Sequence, residues 1–297
     1  MTRHVTVGLD ESPESRAAAR WAAGEAALRG AALRGAALHL VHVEEWPVTP
    51  ELPLPHTQAL VERYETLLRE TADRARRDHP GLEVTTDLLQ GRAVEELTRA
   101  AQEAELMVLG SRGLGGVIGF LVGSVSLAVI GKVRSPVVLV RRPEENGTAA
   151  PAEASAGSGA PVVLGIDLDH PSDALLSFAF GQADRRSAAL QVVHSWSPPA
   201  SFGYTAILDP GVGSGRGQHA AEELTDLLRP WRAEFPRVEV TERAVMGPAA
   251  GELLKASREA GLVVVGRRGS RLGFHIGHVA HAVIHHSAAP VAVVPIA

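Results

Sequence analysis

Leu106-Met-Val-Leu-Gly-Ser-Arg-Gly-Leu-Gly-Gly-Val-Ile-Gly-Phe-Leu-Val-Gly-Ser124 passes from an apolar run through a turn crowded with glycine into a segment of helical pattern. A short apolar run followed by a glycine turn and a helix start is how a buried parallel strand hands its chain to a crossover helix. Six glycines fall between Gly110 and Gly123. Glycine lets the backbone approach a ligand closely, and a helix starting near Gly123 offers unpaired N–H groups and the positive end of its dipole to an anion. Phosphate is the natural occupant.

The same stretch recurs. Leu106-Met-Val-Leu-Gly110 returns as Leu262-Val-Val-Val-Gly266, and Gly123-Ser-Val-Ser-Leu-Ala-Val-Ile130 aligns without a gap with Gly277-His-Val-Ala-His-Ala-Val-Ile284. Farther out, Val5-Thr-Val-Gly-Leu-Asp10 matches Val163-Leu-Gly-Ile-Asp167, Leu38-His-Leu-Val-His42 matches Leu190-Gln-Val-Val-His194, and Pro136-Val-Val-Leu-Val140 matches Pro290-Val-Ala-Val-Val294. The chain is a tandem repeat. Residues 143–159 are rich in Glu, Ala, Ser and Gly with no apolar period, the composition of a linker. The reading is therefore a first domain over 1–142, a linker over 143–159 and a second domain over 160–297. The copies differ by a direct duplication, Ala26-Ala-Leu-Arg-Gly30 followed by Ala31-Ala-Leu-Arg-Gly35, which lengthens the first helix or its loop away from the strand C-termini.

At 297 residues the chain has room for two ordinary α/β cores. Its hydrophobic share of 45% is that of a globular protein, and no uncharged apolar run approaches the ~18 residues of a membrane span. A strand-like run begins almost at Met1, which leaves no room for a secretion signal and points to the cytoplasm. With no cysteine, disulfides and thiolate chemistry are excluded. A net charge of −5 without a basic stripe argues against nucleic acid as a partner.

Within each copy, Val/Leu/Ile runs alternate with helical segments, which predicts crossover-connected parallel strands. In copy one the strands fall at 4–9, 37–43, 82–88, 106–110 and 136–140, with a long amphipathic helix over 57–78 and an N-cap at Ser12-Pro13. The fold class is α/β: two doubly wound domains, each a five-stranded parallel sheet of order 3-2-1-4-5 flanked by about four helices. Ligand belongs at the switch point between strands one and four. Asp10 ends strand one there, Asp167 repeats it, Arg112 adds charge, Ser124 and Ser126 add hydroxyl donors, and the His42-Val43 backbone lies at the rim within reach of a base edge. Neither a Gly-x4-Gly-Lys-Ser/Thr loop nor a Gly-x-Gly-x-x-Gly after the first strand is present.

The pattern Gly110-x2-Gly113-x9-Gly123-Ser124, in a chain that opens Gly8-Leu-Asp10-Glu-Ser12, resembles the universal stress protein family. The resemblance covers nearly the whole chain as two family domains, an arrangement found among actinobacterial members. It implies a stress-response regulator that binds ATP, AMP or another adenine nucleotide, with Mg2+ accompanying ATP. It implies a site in domain one with Asp10 near the nucleoside, the Val43 backbone at the adenine, and Gly110, Gly113, Gly123, Ser124, Val125 and Ser126 around ribose and phosphates; Gly8, Ser12 and Arg112 are counted with this set. It further implies association through the last strands, 137–140 and 291–294, within the chain or as a homodimer, and a regulatory protein partner.

Copy two departs from this pattern. Gly269 to Gly277 spans 8 positions against 10 from Gly113 to Gly123, and His278 stands where copy one has Ser124. Its corresponding set, Asp167, Gly266, Arg268, Gly269, Gly277 and His278, with Arg267 beside it, is expected to hold a triphosphate less well. His275-Ile-Gly-His278 spells a synthetase signature but follows the fourth strand instead of the first, so it is set aside. His278, His281 and His285 share a helical face, a pattern commoner for packing than for zinc, and no metal site is assigned. Trp46, Trp196 and Tyr204 lie in or beside the connections after the second strands, as lids or as packing. No catalytic set is assembled, so the expectation is a binding protein with at most slow ATPase activity. The competing readings are a nucleotide-free scaffold and an ATP-hydrolysing enzyme of a related class, which would carry Ser-Gly-Gly-x-Asp-Ser where this chain has Gly8-Leu-Asp10-Glu-Ser-Pro13.

Overall fold

The computed structural model describes residues 4–33, 37–45, 54–111, 123–142, 159–196, 210–268 and 276–296. The described residues up to 142 form one compact unit, and those from 159 to 268 and from 276 to 296 form a second. Most of the linker and of the glycine turn, including Arg112, Gly113 and Gly269, lies outside the described residues, as do Trp46 and Tyr204.

In the first unit β1 (His4–Leu9), α1 (Pro13–Leu33), β2 (Ala37–Glu44), α2 (Leu54–Asp78), β3 (Val84–Gln90), α3 (Ala93–Glu103), β4 (Leu106–Ser111), α4 (Ser124–Lys132) and β5 (Val137–Arg141) follow in order. All pairings within its sheet are parallel, β1 with β2 and β4, β2 with β3, β4 with β5, which gives the expected order β3-β2-β1-β4-β5. Helices α1 and α2 pack on one face, α3 and α4 on the other. Strands covered on both faces must be apolar throughout, and Val5, Val7, Leu106, Met107 and Val108 are fully buried. Burial of such side chains stabilises by about 1.5–3 kcal/mol each.

The second unit repeats the plan with β6 (Val162–Ile166), α5 (Asp173–Arg186), β7 (Leu190–Trp196), α6 (Pro210–Glu234), β8 (Val240–Met246), α7 (Ala249–Ala256), β9 (Leu262–Arg268), α8 (His278–His286) and β10 (Val291–Ile296). Its parallel order is β8-β7-β6-β9-β10. Phe180 of α5 is fully buried and meets the Trp231 and Phe235 rings from α6 and its end, at centroid distances of 5.9 and 5.6 Å.

Strand β3 starts two residues later than its sequence pattern predicts. Leu82 belongs to the turn after Gly81, whose φ is +89°, and β3 itself is polar and largely exposed beside its single neighbour β2. The duplication goes into the helix, α1 having 21 residues against 14 in α5. α1 also begins earlier. Pro13 is the third residue after Asp10, whereas Asp173 is the sixth after Asp167.

Candidate functional site: the crevices at the strand C-termini

Strands β1 and β4 run beside each other through only three register pairs, ending at Val7↔Val108, although β1 continues to Leu9 and β4 to Ser111. β6 and β9 part in the same way after Leu164↔Val264. Each unit thus opens a crevice at the strand carboxyl ends, where the strand order reverses.

One wall of the first crevice is the turn from β1 into α1. Glu11 takes a left-handed φ of 65°, unusual outside glycine, which swings the chain sharply enough for the helix to start at Pro13. Ser12 caps the helix, its Oγ accepting from Ser15 N at 3.1 Å, and donates its own proton to Asp10 Oδ1 at 2.5 Å. The same carboxylate oxygen accepts from Ser12 N at 3.1 Å, and Ser15 Oγ accepts from Asp10 N at 3.3 Å. Asp10 is therefore exposed yet held in one orientation by the turn that follows it. Glu11 pairs outward with Arg63 of α2 at 2.5 Å.

The opposite wall is α4. Gly123 sits at its N-cap position and contributes no capping side chain, and a helix start of this kind presents N–H groups and a positive dipole end that suit an anion. Ser124 is exposed, Val125 half-buried and Ser126 buried. Ser126 Oγ donates to the Gly110 carbonyl at 3.3 Å, which ties the helix start to the end of β4. A Cβ on Gly110 would lie 2.7 Å from Ser15 N and 2.8 Å from the Glu14 carbonyl carbon. Gly110 thus serves the close approach of α1. Asp10, Ser12, Gly110 and Ser126 are joined into one contact chain through Ser15. Gly8 is not part of it: its missing side chain makes room for Leu97 of α3 and Leu109.

At the far rim, β1 ends opposite His42 in the register Leu9↔His42, so Val43 and Glu44 of β2 extend past it. His42 Nδ1 lies 2.8 Å from the Leu9 carbonyl oxygen and donates to it, the carbonyl having only lone pairs to offer. Its ring stacks on Tyr64 of α2 with centroids 4.0 Å apart. Burial pushes the His42 imidazole below its ordinary pKa, against the opposing pull of the Leu9 carbonyl and of the Glu11, Asp10 and Glu44 carboxylates. In the second unit His194 Nδ1 makes the same bond to Ile166 O at 3.2 Å. Sequence reasoning used only the backbone here, yet a histidine at the same place in both repeats was signal enough for a structural tie.

The second crevice is built differently. Arg268, the last residue of β9, crosses it to Asp167 Oδ2 at 2.6 Å. His170 Nδ1 lies 3.4 Å from the same oxygen, and Asp169 N donates to Oδ1 at 3.2 Å. Both oxygens of Asp167 are engaged within the unit. Gly277 takes the N-cap position of α8 without a capping side chain, and His278 is exposed. Ala280 stands where Ser126 would, so no hydroxyl ties α8 to Gly266, which packs against Ile296 and Leu175. Burial lowers the pKa of Arg267. The His281 and His285 rings lie 4.3 Å apart, and no group of three metal-ligating side chains gathers among the described residues.

A parted-strand crevice followed by a helix whose N-cap is glycine occurs in each unit of the chain. The family model described as the Universal stress protein family matches residues 1–141 and again 160–295. The chain belongs to the universal stress protein family. Universal stress proteins of Mycobacterium tuberculosis and Mycobacterium bovis are each 32% identical to it over 301 aligned residues, covering 97% of this chain and 96% of theirs. A universal stress protein of Mycolicibacterium smegmatis is 30% identical over 302 residues, with 98% and 96% covered. The fold agrees with the crystal structure of a universal stress protein from Archaeoglobus fulgidus at a TM-score of 0.73 and 19% identity, covering 99% of each chain. No helix among the described residues is long and apolar enough to cross a membrane.

Proposed function

We propose that this universal stress protein binds an adenine nucleotide, ATP with its Mg2+ or AMP, in the first crevice, and that occupancy adjusts its contacts with a second copy or a regulatory partner. The observation that supports this reading best is the parting of β1 and β4 beside the start of α4, whose N-cap residue is a glycine. Unpaired N–H groups and a dipole end suit phosphate, the Ser124 hydroxyl adds a donor, and Ser126 fixes the helix start against Gly110. Asp10, presented by its turn, suits a ribose hydroxyl, and the overhanging end of β2 suits the base. Mg2+ would arrive on the phosphates. The described residues of the site supply binding groups, and the role proposed for them is regulatory, through a shift of population between bound and free forms. The second crevice, with Asp167 and Arg268 already paired, is the weaker site.

Mass spectrometry of nucleotide released from the purified chain, with titrations of ATP, AMP and cyclic AMP into wild type, Ser124→Ala and Gly113→Ala, tests the reading. Wild type binds an adenine nucleotide and both variants weaken it. If wild type binds none, the reading is wrong. Rapid multiple turnover of ATP would replace it with an enzyme.

A further inference from the structure

The direction in which Asp10 offers its exposed carboxylate starts from the peptide that joins it to Leu9. A peptide is planar, so its carbonyl oxygen and its amide N–H turn together. Both edges of this one are held. From β2, His42 Nδ1 donates to the Leu9 carbonyl at 2.8 Å, and the Asp10 N–H donates to Ser15 Oγ of α1 at 3.3 Å. The His42 ring is in turn fixed by its stack on Tyr64 of α2, with 28° between the ring planes. Arg63, the neighbour of Tyr64, pairs with Glu11 at 2.5 Å. Helix α2 thus reaches the residues on either side of Asp10, Leu9 through His42 and Glu11 directly.

The repeat separates this bond from its surroundings. His194 Nδ1 lies 3.2 Å from the Ile166 carbonyl, one residue before Asp167, as His42 meets the carbonyl one residue before Asp10. Around the bond the two units differ, since Asp10 accepts from Ser12 and Asp167 from Arg268. The bond is kept while the partners of the carboxylate change. Joining the strands does not require it, because β1 and β2 already share six register pairs, the last of them Leu9↔His42. The side-chain bond acts where that ladder ends and the crevice begins.

We infer that His42 is a positioning residue of the first crevice: its bond to the Leu9 carbonyl, backed by Tyr64, holds the Leu9–Asp10 peptide so that the Asp10 carboxylate meets a ribose hydroxyl. The inference rests on the nucleotide reading above and adds to it the group that aims Asp10. Without the Nδ1–H the peptide is pinned at one edge only, and the carboxylate spreads over directions that miss the hydroxyl. A hydrogen bond whose acceptor must first be ordered contributes less to affinity than a preorganised one, whereas contacts to phosphates at the start of α4 keep their strength.

The test compares ATP with dideoxy-ATP, which lacks both ribose hydroxyls, and with inorganic tripolyphosphate, by calorimetric titration of the full chain. Wild type favours ATP over dideoxy-ATP by about tenfold or more, the usual weight of a hydrogen bond to a charged group. His42→Phe keeps a ring for Tyr64 and removes the donor. It lowers ATP affinity by about threefold to tenfold and leaves dideoxy-ATP and tripolyphosphate within about twofold of wild type. His42→Asn, whose amide N–H stands in for the Nδ1–H, recovers most of that loss. In an Asp10→Ala background His42→Phe costs ATP no further affinity. Ser15→Ala, which frees the other edge of the same peptide, also weakens ATP selectively, and it decides the matter if thermal unfolding shows that His42→Phe does not fold. Equal loss of all three ligands in His42→Phe overturns the inference, since the histidine then supports the whole crevice and not Asp10. Unchanged ATP affinity in that variant overturns it too. Wild type that binds ATP and dideoxy-ATP alike overturns it and leaves nucleotide binding standing. Wild type that binds neither sinks the function proposed above together with this inference.

Discussion

Arg268 reaches Asp167 at 2.6 Å across the mouth of the second crevice, joining two residues 101 positions apart. A cation at the crevice mouth is thus already paired with a carboxylate. Both side chains are about half exposed, so the pair adds no more than about 1 kcal/mol to stability. Asp167→Asn frees Arg268 and removes a repelling charge. We expect it to raise affinity for inorganic tripolyphosphate severalfold at low salt while the unfolding free energy changes by less than about 1 kcal/mol. Arg268→Gln, which removes the cation with the pair, gives no such gain. Calorimetric titration checks both, and an unchanged Asp167→Asn affinity rejects the idea that the pair limits anion binding.

Arg29 and Glu25 form a buried ion pair one helical turn apart in α1, at 2.6 Å, with Glu105 accepting from the other side of the guanidinium at 2.5 Å. α5 has Arg186 and Gln182 in the same geometry, hydrogen-bonded side chain to side chain. Removal of one member takes the opposite charge from the other in a buried place, at a cost of up to about 3–5 kcal/mol. Arg29→Met is expected to lose that much in urea unfolding, whereas Glu25→Gln, which copies the second unit, loses markedly less. Equal losses would show that charge pairing is not what the arginine supplies.

Gly110→Ala forces a methyl group within 2.8 Å of the α1 backbone at Glu14 and Ser15, atoms that cannot swing aside. A destabilisation of about 1–3 kcal/mol is expected, with weakened nucleotide binding as the crevice walls separate. Gly277→Ala meets nothing within 4 Å and changes only a helix cap, for less than about 1 kcal/mol. Urea unfolding of the two variants gives the comparison.

His42 gives stability a pH dependence whose sign follows from burial. Its folded-state pKa lies below the ordinary value of about 6.5, so the unfolded chain takes up the proton more readily. The stability it contributes is present above about pH 6.5 and is lost as pH falls from there through the lower folded-state pKa. Unfolding free energies measured from pH 7.5 to 5.5 should fall more steeply for wild type than for His42→Asn. Parallel slopes would mean that His42 titrates alike folded and unfolded.

The order of strands in each unit was legible because a parallel strand covered on both faces must be a continuous apolar run, and the five runs of each copy stand out from the helices between them. β3 was read two residues early because a polar, exposed strand carries little of that signal. The glycines were legible as a cluster, but their roles were not. Gly8 and Gly110 are small because Leu97, Leu109 and the first turn of α1 come close to them, contacts that chain spacing does not reveal.

The sequence alone determined that the chain is two copies of one α/β domain, where the crevices lie, and that the second copy has lost a serine and two loop residues. It could do so because apolar period, glycine placement and repetition are properties of neighbours along the chain. Only the tertiary structure decided that Asp10 is held by Ser12 while Asp167 is held by Arg268, and that His42 and His194 tie strand two to strand one. Of these, the ties between strand ends are set by parallel register, which brings together residues dozens of positions apart. Such pairings are not written in any local run of residues.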